Sequence, residues 1–393
     1  MYPNLYYAFK DLFGVEWKFL RFVNSFGFFV AIAFILAAIV LVSELRRKSK
    51  QGLLQPTEME VMVGQPATTG ELILNFLLGF LLGYKIIALF IMDSTATEDP
   101  QAFIFSTRGS WVAGIGLGLL FAGLKWWDKN KQKLAKPEKR VVRIWPHDRV
   151  GEITIIALVA GLLGAKLFDI FENWGDFLKH PSSYIFSPSG LTFYGGLICA
   201  ALSIWWYAKK HKIGFWHLND AAAPALMLGY AIGRIGCQVS GDGDWGIENI
   251  NPKPFNWLPD WMWSYNFPHN VNEAGIRIPG CLDVKYCNQL PVGVYPTSFY
   301  ETVVCLLLFL LLWSLRKKFK IPGTIFAFYL ILNGIERFFI EKIRVNVRLN
   351  IFGFHPTQAE VISSLLFITG VVLWIVLARK TTTSPKPITR SFD

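Results

Sequence analysis

Nine long apolar segments constrain this chain more than any other feature, because each is long enough to cross a bilayer core of roughly 30 Å as a helix of about 20 residues. They lie near 26–44, 71–92, 110–127, 151–172, 191–208, 219–236, 299–315, 321–340 and 357–378. Of the 393 residues, 53% are hydrophobic and only 17% are charged, which is unusual for a water-soluble protein. We therefore predict an all-α fold, a polytopic transmembrane helical bundle with about nine spans.

The basic residues predict how the bundle is oriented. The net charge is +11, and the Lys and Arg clusters fall in alternate connections between the apolar segments. The clusters lie at 46–48, 125–149, 209–212, 316–318 and 379–380, whereas the connection at 92–101 is acidic. Because cytoplasmic loops carry the excess of Lys and Arg, this pattern places the N-terminus outside and the C-terminus in the cytoplasm. We expect no nucleic-acid partner and no cleavable signal peptide.

Part of the chain is duplicated. Residues 70–114 align without gaps to 151–195, at a constant offset of 81 residues. Matched pairs include Glu71 with Glu152, Lys85 with Lys166, and Pro100 with Pro181. Composition bias explains matched Leu and Gly but not these pairs. We predict two copies of a helix, an outside loop and a returning helix, in the same orientation.

The connection at 237–298 is too long for an ordinary loop. It contains several tryptophans, so we predict an extracytoplasmic cap at the level of the lipid headgroups. Cys281 and Cys287 lie in this connection, and the sequence allows either a disulfide between them or two free thiols. The last residues, 380–393, are expected to form a flexible cytoplasmic tail.

Polar residues converge on the outer surface of the predicted bundle. Arg234 ends the sixth segment, while Arg337, Glu341 and Arg344 share one face of the eighth at i, i+4 and i+7. Tyr194 begins the fifth. Two arginines on neighbouring helices match a phosphate, so we predict an anion site for a phospholipid headgroup. The alternative is that the arginines reach lipid phosphates singly, or pair with Glu341 and Asp242 as structural struts.

The carboxylates Asp242, Asp244, Glu301 and Glu341 would orient the ligand or supply a base. The six histidines are scattered, so we expect no metal site and no cofactor.

Four segments resemble one known family. The stretch "GRIGCQVSGDGDWG" (233–246) is similar to the signature of bacterial phosphatidylglycerol–prolipoprotein diacylglyceryl transferases. Three more segments match in order: 164–198, "YPTSFYE" (295–301), and "ERFFIEKIR" with "TQAEVISSLLFITG" (336–370). The resemblance implies transfer of a diacylglyceryl group from phosphatidylglycerol to the cysteine thiol of a prolipoprotein lipobox, with release of glycerol phosphate. It also implies these site residues: Arg234, Gly236, Gly246, Tyr300, Glu301, Arg337, Glu341 and Arg344.

The chain departs from the family pattern at four places. Tyr194 and Tyr295 each stand where the family has a histidine. Cys237 replaces an asparagine, and Asp242, with an additional Gly243, replaces a glutamate. Tyrosine has a pKa near 10 and is a poor base. The resemblance therefore leaves two possibilities for thiol deprotonation, a carboxylate such as Asp242 or Glu301, or assistance from the positive site alone.

The resemblance also implies a seven-span core within a single enzyme domain, 1–393. The additional pair of spans then belongs to 46–150, a duplicated helix-pair insertion with a cytoplasmic basic loop. The enzyme would lie in the bacterial cytoplasmic membrane with its active site at the outer leaflet, and its partners would be phosphatidylglycerol and lipobox signal peptides. The alternatives are a catalytically degenerate lipid-binding member of the family and a polytopic transporter.

Overall fold

The structure, a computed structural model, describes residues 1–88, 103, 106–186, 190, 192–281, 285–346, 350 and 355–382. The helices are α1 Leu5–Phe13, α2 Ser25–Lys50, α3 Thr69–Leu81, α4 Trp111–Lys131, α5 Val150–Glu172, α6 Trp174–Lys179, α7 Pro181–Phe186, α8 Phe193–Lys210, α9 Phe215–Ser240, α10 Asp260–Trp263, α11 Thr297–Leu315, α12 Thr324–Glu341 and α13 Gln358–Thr382. The strands are β1 Thr57–Val63, β2 Glu138–Ile144, β3 Ile276–Arg277 and β4 Asn288–Gln289.

The predicted helical class is confirmed at the level of a mostly helical membrane protein. Within the described ranges, five helices are long and apolar enough to cross a membrane: Ser25–Lys50, Thr69–Ile87, Pro146–Glu172, Thr297–Leu315 and Gln358–Arg379. The other four predicted segments coincide with α4, α8, α9 and α12. The predicted acidic loop at 92–101 lies outside the described residues, as does the predicted tail from 383 onward.

The chain forms two compact units. The first contains Met1–Pro3, Asn24–Gln55 and Ala208–Asp393. In it α9 packs against α2, α11 and α12, and α12 packs against α13. Its core holds Ala223, Met227, Ala231, Cys305, Leu312 and Ile325. The alanines on α9 leave room for the neighbouring helices to approach closely, which fixes the relative positions of the polar residues at the helix ends.

One end of this first unit is held by buried charges. Glu44, only 1% exposed, accepts a hydrogen bond from Arg316 Nε at 2.6 Å and also pairs with Arg47. Asp220 pairs with Lys48 and accepts hydrogen bonds from the backbone N–H groups at the start of α12. A carboxylate at a helix N-terminus is stabilised by the helix dipole. These contacts bring the C-terminal ends of α2 and α11 to the N-terminal ends of α9 and α12.

The second unit contains Asn4–Val23 and Pro56–Tyr207, and it includes both copies of the predicted duplication. A Cβ on Gly83 of the first copy would lie 2.9 Å from Gly114 Cα, and one on Gly164 of the second would lie 2.7 Å from the Gly195 carbonyl oxygen. Both glycine pairs are related by the offset of 81. The two copies therefore share the same close crossing of their helices, which glycine alone permits.

The duplicated lysines also have matching environments. Lys85 Nζ donates to the carbonyl oxygens of Phe103 at 3.1 Å and Arg108 at 2.8 Å, and Lys166 Nζ donates to that of Gly190 at 3.4 Å. In each copy the lysine thus binds backbone carbonyls of the loop between its two helices. This shared contact supports the duplication more strongly than the matched Leu and Gly do.

A β-ribbon that the sequence analysis did not predict joins the connections on either side of the first helix pair. β1 and β2 are antiparallel, with Thr57 opposite Ile144 and Val63 opposite Glu138. Opposite charges face each other across the strands, as in the pair of Arg143 with Glu58 at 3.1 Å. The predicted basic loop at 125–149 therefore contains a strand.

The long connection after α9 contains the short β3–β4 ribbon and a disulfide between Cys281 and Cys287. Of the two possibilities left open for these cysteines, the structure has the disulfide. Asn270, with no exposed surface, donates to the carbonyl oxygens of Phe267, Ala274 and Asn288. This side chain ties three stretches of the connection together.

Candidate active site

Glu301 is the centre of a buried cluster of charges in the first unit. Its side chain, in the second turn of α11, has no exposed surface. Arg234 Nε lies 2.9 Å from Oε2, and Arg337 Nη1 donates to Oε1 at 2.8 Å. Arg344 Nη1 lies 3.3 Å from the same Oε1, and Tyr230 donates its hydroxyl to it at 3.1 Å. We refer to Arg234, Arg337 and Arg344 as the arginine cluster.

The end of α9 brings Arg234 and an acidic loop together. Gly241 terminates the helix with a φ of 64°, and its N–H donates to the Cys237 carbonyl at 3.0 Å. Gly243, with a φ of 98°, turns the chain again, so that Asp244 contacts both Arg234 and Arg344. Both conformations favour glycine, which has no Cβ to clash in the left-handed region.

The same loop is fixed to the start of α11. The Asp244 carbonyl accepts hydrogen bonds from Thr297 Oγ1 at 2.7 Å and Ser298 Oγ at 2.9 Å. Gly246 N–H donates to the Tyr295 carbonyl at 2.8 Å. A Cβ at Gly246 would lie 2.8 Å from Tyr295 Cβ, so this glycine permits two backbone segments to approach closely.

The third element of the cluster is the end of α12. Arg337 Nη2 lies 3.4 Å from Glu341 Oε2, one turn later on the same helix. Glu341 is 3% exposed and also accepts from Asn346 Nδ2 at 2.5 Å. Arg344 follows the helix and forms an antiparallel bridge with Gly246. The predicted face at i, i+4 and i+7 therefore contributes two of the three arginines.

The two aspartates of the loop differ in acidity. Burial and the neighbouring Asp244 raise the pKa of Asp242 above its usual range. Burial would also raise the pKa of Asp244, but Arg234 and Arg344 outweigh it and hold that pKa below its usual range. Asp244 is therefore the carboxylate that neutralises the arginine cluster, and Asp242 is the better proton acceptor of the two.

Cys237, Asp242 and Asp244 place possible metal-ligand atoms within 4.8 Å of one another. However, Arg234 Nη1 lies 3.8 Å from Cys237 Sγ and also contacts Asp244. A guanidinium thus holds the position that a metal cation would need, and these residues do not fit a metal ion.

A cavity of about 340 Å³ lies between α11 and α12, beside the cluster. We call it the α11–α12 groove. It is lined by Tyr300, Glu301, Val304, Leu308, Leu332, Ile335, Glu336, Phe339, Ile340 and Ile343. Its volume and mostly apolar lining with a few polar groups are typical of small-molecule sites.

Comparison with known proteins assigns the chain to a family. A family model described as prolipoprotein diacylglyceryl transferase matches residues 112–376. The chain belongs to the prolipoprotein diacylglyceryl transferase family. The resemblance inferred from the sequence is thereby confirmed.

Several curated relatives carry the name phosphatidylglycerol–prolipoprotein diacylglyceryl transferase. One from Dehalococcoides mccartyi is 29% identical over 290 residues, which is 72% of this chain and 95% of the relative. One from Clostridium novyi is 28% identical over 280 residues, 70% of this chain and 95% of the relative. A third, from Leptospira interrogans, is 31% identical over 220 residues, 49% of this chain and 61% of the relative.

For this transferase-family chain, the structure brings together many of the residues singled out in the sequence. Arg234, Glu301, Arg337, Glu341 and Arg344 form one charge cluster. Asp242 precedes Asp244 in the loop that closes it and accepts a hydrogen bond from the Asp244 N–H at 3.3 Å.

Other predicted residues have structural contacts. Tyr300 donates its hydroxyl to the Met262 carbonyl at 2.8 Å. A Cβ at Gly236 would lie 3.0 Å from Phe29 Cβ, so this glycine lies where α9 packs on α2. Tyr194 is in the first turn of α8, in the second unit, and its ring contacts Phe193.

One acidic residue of the site, Glu336, was not singled out in the sequence, and another, Asp244, was named only as one of four carboxylates that would orient the ligand or supply a base. Asp244 contacts two arginines, whereas the sequence comparison favoured Asp242 as the counterpart of the family glutamate. Glu336 lines the α11–α12 groove and is 8% exposed. Its position inside an otherwise apolar helical segment was the available signal, because an ionisable group there is costly unless it has a function.

Proposed function

We propose that this protein transfers the diacylglyceryl group of phosphatidylglycerol to the cysteine thiol of prolipoproteins and releases glycerol phosphate. Membership of the transferase family supports this activity. The observation that carries the assignment to this site is the convergence of Arg234 and Arg337, from separate helices, on one buried carboxylate.

The arginine cluster is suited to holding the phosphate of the lipid. The side chains of Arg234 and Arg337 are 15% and 21% exposed. In the described part of the chain, Arg234 Nη2 and Arg337 Nε donate no hydrogen bond to a carboxylate, so each guanidinium retains a donor for a ligand. One planar guanidinium group can donate two parallel hydrogen bonds to two oxygens of a phosphate.

Asp244 is the carboxylate that the phosphate would replace. Its side chain is 34% exposed, whereas that of Glu301 has no exposed surface. It also lies on a loop with glycines at positive φ on either side of Asp242. Phosphate binding would then exchange one anion for another at Arg234 and Arg344, while Glu301 continues to hold the cluster together.

The reaction needs a thiolate and a stabilised leaving group. A cysteine thiol, with a pKa of about 8.5, loses its proton and its sulfur attacks the glyceryl carbon. The carbon–oxygen bond to the phosphate breaks, and the negative charge grows on the departing glycerol phosphate. Arginines placed at the phosphate stabilise that charge as it develops.

The positions of the helices and the distribution of Lys and Arg support an orientation of the chain in the membrane, and with it a location for the active site. We propose nine spans in the bacterial cytoplasmic membrane, an outside N-terminus and a cytoplasmic C-terminus. The arginine cluster would then face the outer leaflet, where phosphatidylglycerol and the lipobox cysteine of a signal peptide can both reach it. The positive-inside distribution of Lys and Arg supports this orientation.

The decisive experiment incubates the purified full chain with phosphatidylglycerol and a lipobox peptide, then weighs the peptide by mass spectrometry. We expect a mass increase equal to one diacylglyceryl group. Arg234→Lys and Arg337→Ala should lower the rate by about 100-fold or more, as expected for losing a donor to a developing oxyanion. The matched control is Arg140→Lys, an exposed arginine of the β-ribbon.

The outcomes separate the alternatives. A wild-type chain that binds phosphatidylglycerol without modifying the peptide would indicate a degenerate family member. Movement of lipid or peptide across a proteoliposome membrane, without covalent transfer, would indicate a transporter. Full activity of both arginine variants would exclude the phosphate role of the cluster while leaving the transferase activity intact.

A further inference from the structure

Glu336 is a buried acid whose carboxylate has no hydrogen-bond partner among the described residues. It lies in α12, is 8% exposed, and both of its carboxylate oxygens are buried and accept no hydrogen bond from any described residue. A buried polar group usually has a partner, because leaving it unsatisfied costs free energy. A carboxylate that keeps this arrangement next to a reaction site is a candidate for a chemical role.

Three other carboxylates of the site are already engaged, and the fourth, Asp242, is not among the residues that line the α11–α12 groove. Glu301 accepts from the arginine cluster and from Tyr230, and Glu341 contacts Arg337 and Asn346. Asp244 contacts Arg234 and Arg344. A carboxylate whose lone pairs receive several donors is a weak proton acceptor. Glu336 differs from all three, because neither of its oxygens accepts a hydrogen bond in the part of the chain that the structure describes.

The location of Glu336 fits a role in the transfer. It immediately precedes Arg337 in α12 and lines the α11–α12 groove together with Glu301. The groove therefore borders both Glu336 and Glu301, the carboxylate that supports the arginine cluster. A general base must come within hydrogen-bond reach of the proton that it removes. A Glu336 side chain that turns its buried oxygens into the groove would meet that condition for a thiol bound there.

We propose that Glu336 is the proton acceptor for the prolipoprotein cysteine. This inference rests on the proposed transferase function and deepens it. In this assignment a carboxylate on α12 takes the role of base, and the position of the family histidine, occupied here by Tyr194, does not.

The proton and electrons balance in one displacement. The thiol proton moves to a Glu336 oxygen, and the sulfur lone pair forms the bond to the glyceryl carbon. The carbon–oxygen bond breaks, and its electron pair leaves on glycerol phosphate. Glu336 then returns its proton to the departing phosphate monoester or to water, which regenerates the carboxylate.

The test compares two acceptor peptides with the purified full chain in phosphatidylglycerol vesicles. One peptide carries the lipobox cysteine, and the other carries selenocysteine, whose selenol is ionised at neutral pH and needs no base. Glu336→Gln should lower kcat with the cysteine peptide by about 100-fold, the lower end of what a general base contributes. With the selenocysteine peptide, the variant should approach the wild-type rate.

Two further variants complete the design. Glu336→Asp, which keeps a carboxylate, should retain part of the activity with the cysteine peptide. Glu248→Gln, an exposed carboxylate outside the cluster, is the control and should match the wild type with both peptides.

Each result has a distinct meaning. An equal loss with both peptides would assign Glu336 a structural role and overturn the proposal. Wild-type kcat of Glu336→Gln with the cysteine peptide would also overturn it. Failure of the wild-type chain to modify either peptide would instead overturn the proposed function itself.

Discussion

One carboxylate determines the geometry of the site at the scale of single residues. Glu301 has no exposed surface and joins guanidinium groups from α9, from α12 and from the segment after α12. Removing one partner of such a buried network costs about 3–5 kcal/mol, because the remaining charges lose their compensation. Glu301 therefore acts as the support of the cluster, and a role as proton acceptor would conflict with its contacts.

Asp244 provides a prediction in which stability and ligand binding change in opposite directions. A carboxyl with a lowered pKa in the folded chain stabilises the fold above its unfolded pKa of about 3.9, and this contribution is lost as the pH falls through the lowered folded pKa. Asp244→Asn should therefore lower the melting temperature at pH 7. The difference from the wild type should shrink as the pH falls below about 4.

The same variant should bind phosphatidylglycerol more tightly, because the phosphate no longer competes with a carboxylate. Melting curves across pH and a vesicle-binding measurement would check both effects, with Glu248→Gln as the exposed control. Weaker lipid binding by Asp244→Asn would contradict the exchange of Asp244 for phosphate.

At the scale of elements, the sequence predicted helix positions well and contacts less well. All nine predicted segments contain helix, because long apolar runs between basic clusters have few other solutions in a membrane. The strands β1 and β2 were missed, since they pair across a large sequence separation and carry alternating charges rather than a long apolar run. The arginines were identified by residue type and spacing alone.

The sequence alone could not show which aspartate of the loop contacts the arginines. Gly243 adds one residue to the loop and has a positive φ, so the chain turns and presents Asp244 rather than Asp242 to the arginines. A comparison with the family's sequence motif cannot reveal that turn, because the turn is a property of the backbone conformation. That Glu336 has no hydrogen-bond partner within the described ranges is likewise a property of three-dimensional packing, although its position in an apolar helix was visible in the sequence.

The repeated helix crossing leads to a prediction about packing. A Cβ at Gly83 would clash with α4, so Gly83→Ala should lower stability by about 1–3 kcal/mol. Gly123→Ala is the matched control, because no described residue lies within 4 Å of a Cβ there and alanine favours a helix. Thermal unfolding in detergent would compare the two variants.

If the first helix pair is accessory, Gly83→Ala should retain transferase activity below its melting temperature. Equal stability of the two variants would show that the close crossing of α3 and α4 contributes nothing.

At the scale of the whole molecule, side-chain contacts show which helix ends of the first unit lie together. Glu44 near the end of α2 contacts Arg316 after α11, and Lys48 contacts Asp220 near the start of α9. The arginine cluster involves the opposite ends of α9, α11 and α12. The basic ends and the cluster therefore belong to opposite ends of this unit. If the basic ends face the cytoplasm, the cluster faces the outer leaflet.

Cysteine labelling in intact spheroplasts tests this orientation. Asn256→Cys, exposed in the connection after α9, should react with a membrane-impermeant maleimide. Lys318→Cys, exposed after α11, should react only once the membrane is permeabilised. The wild-type chain measures the background from its free cysteines, Cys199, Cys237 and Cys305. The reverse pattern would place the arginine cluster at the cytoplasmic leaflet, where a secreted precursor's lipobox cysteine could not meet it after translocation, and the proposed reaction would lose its acceptor.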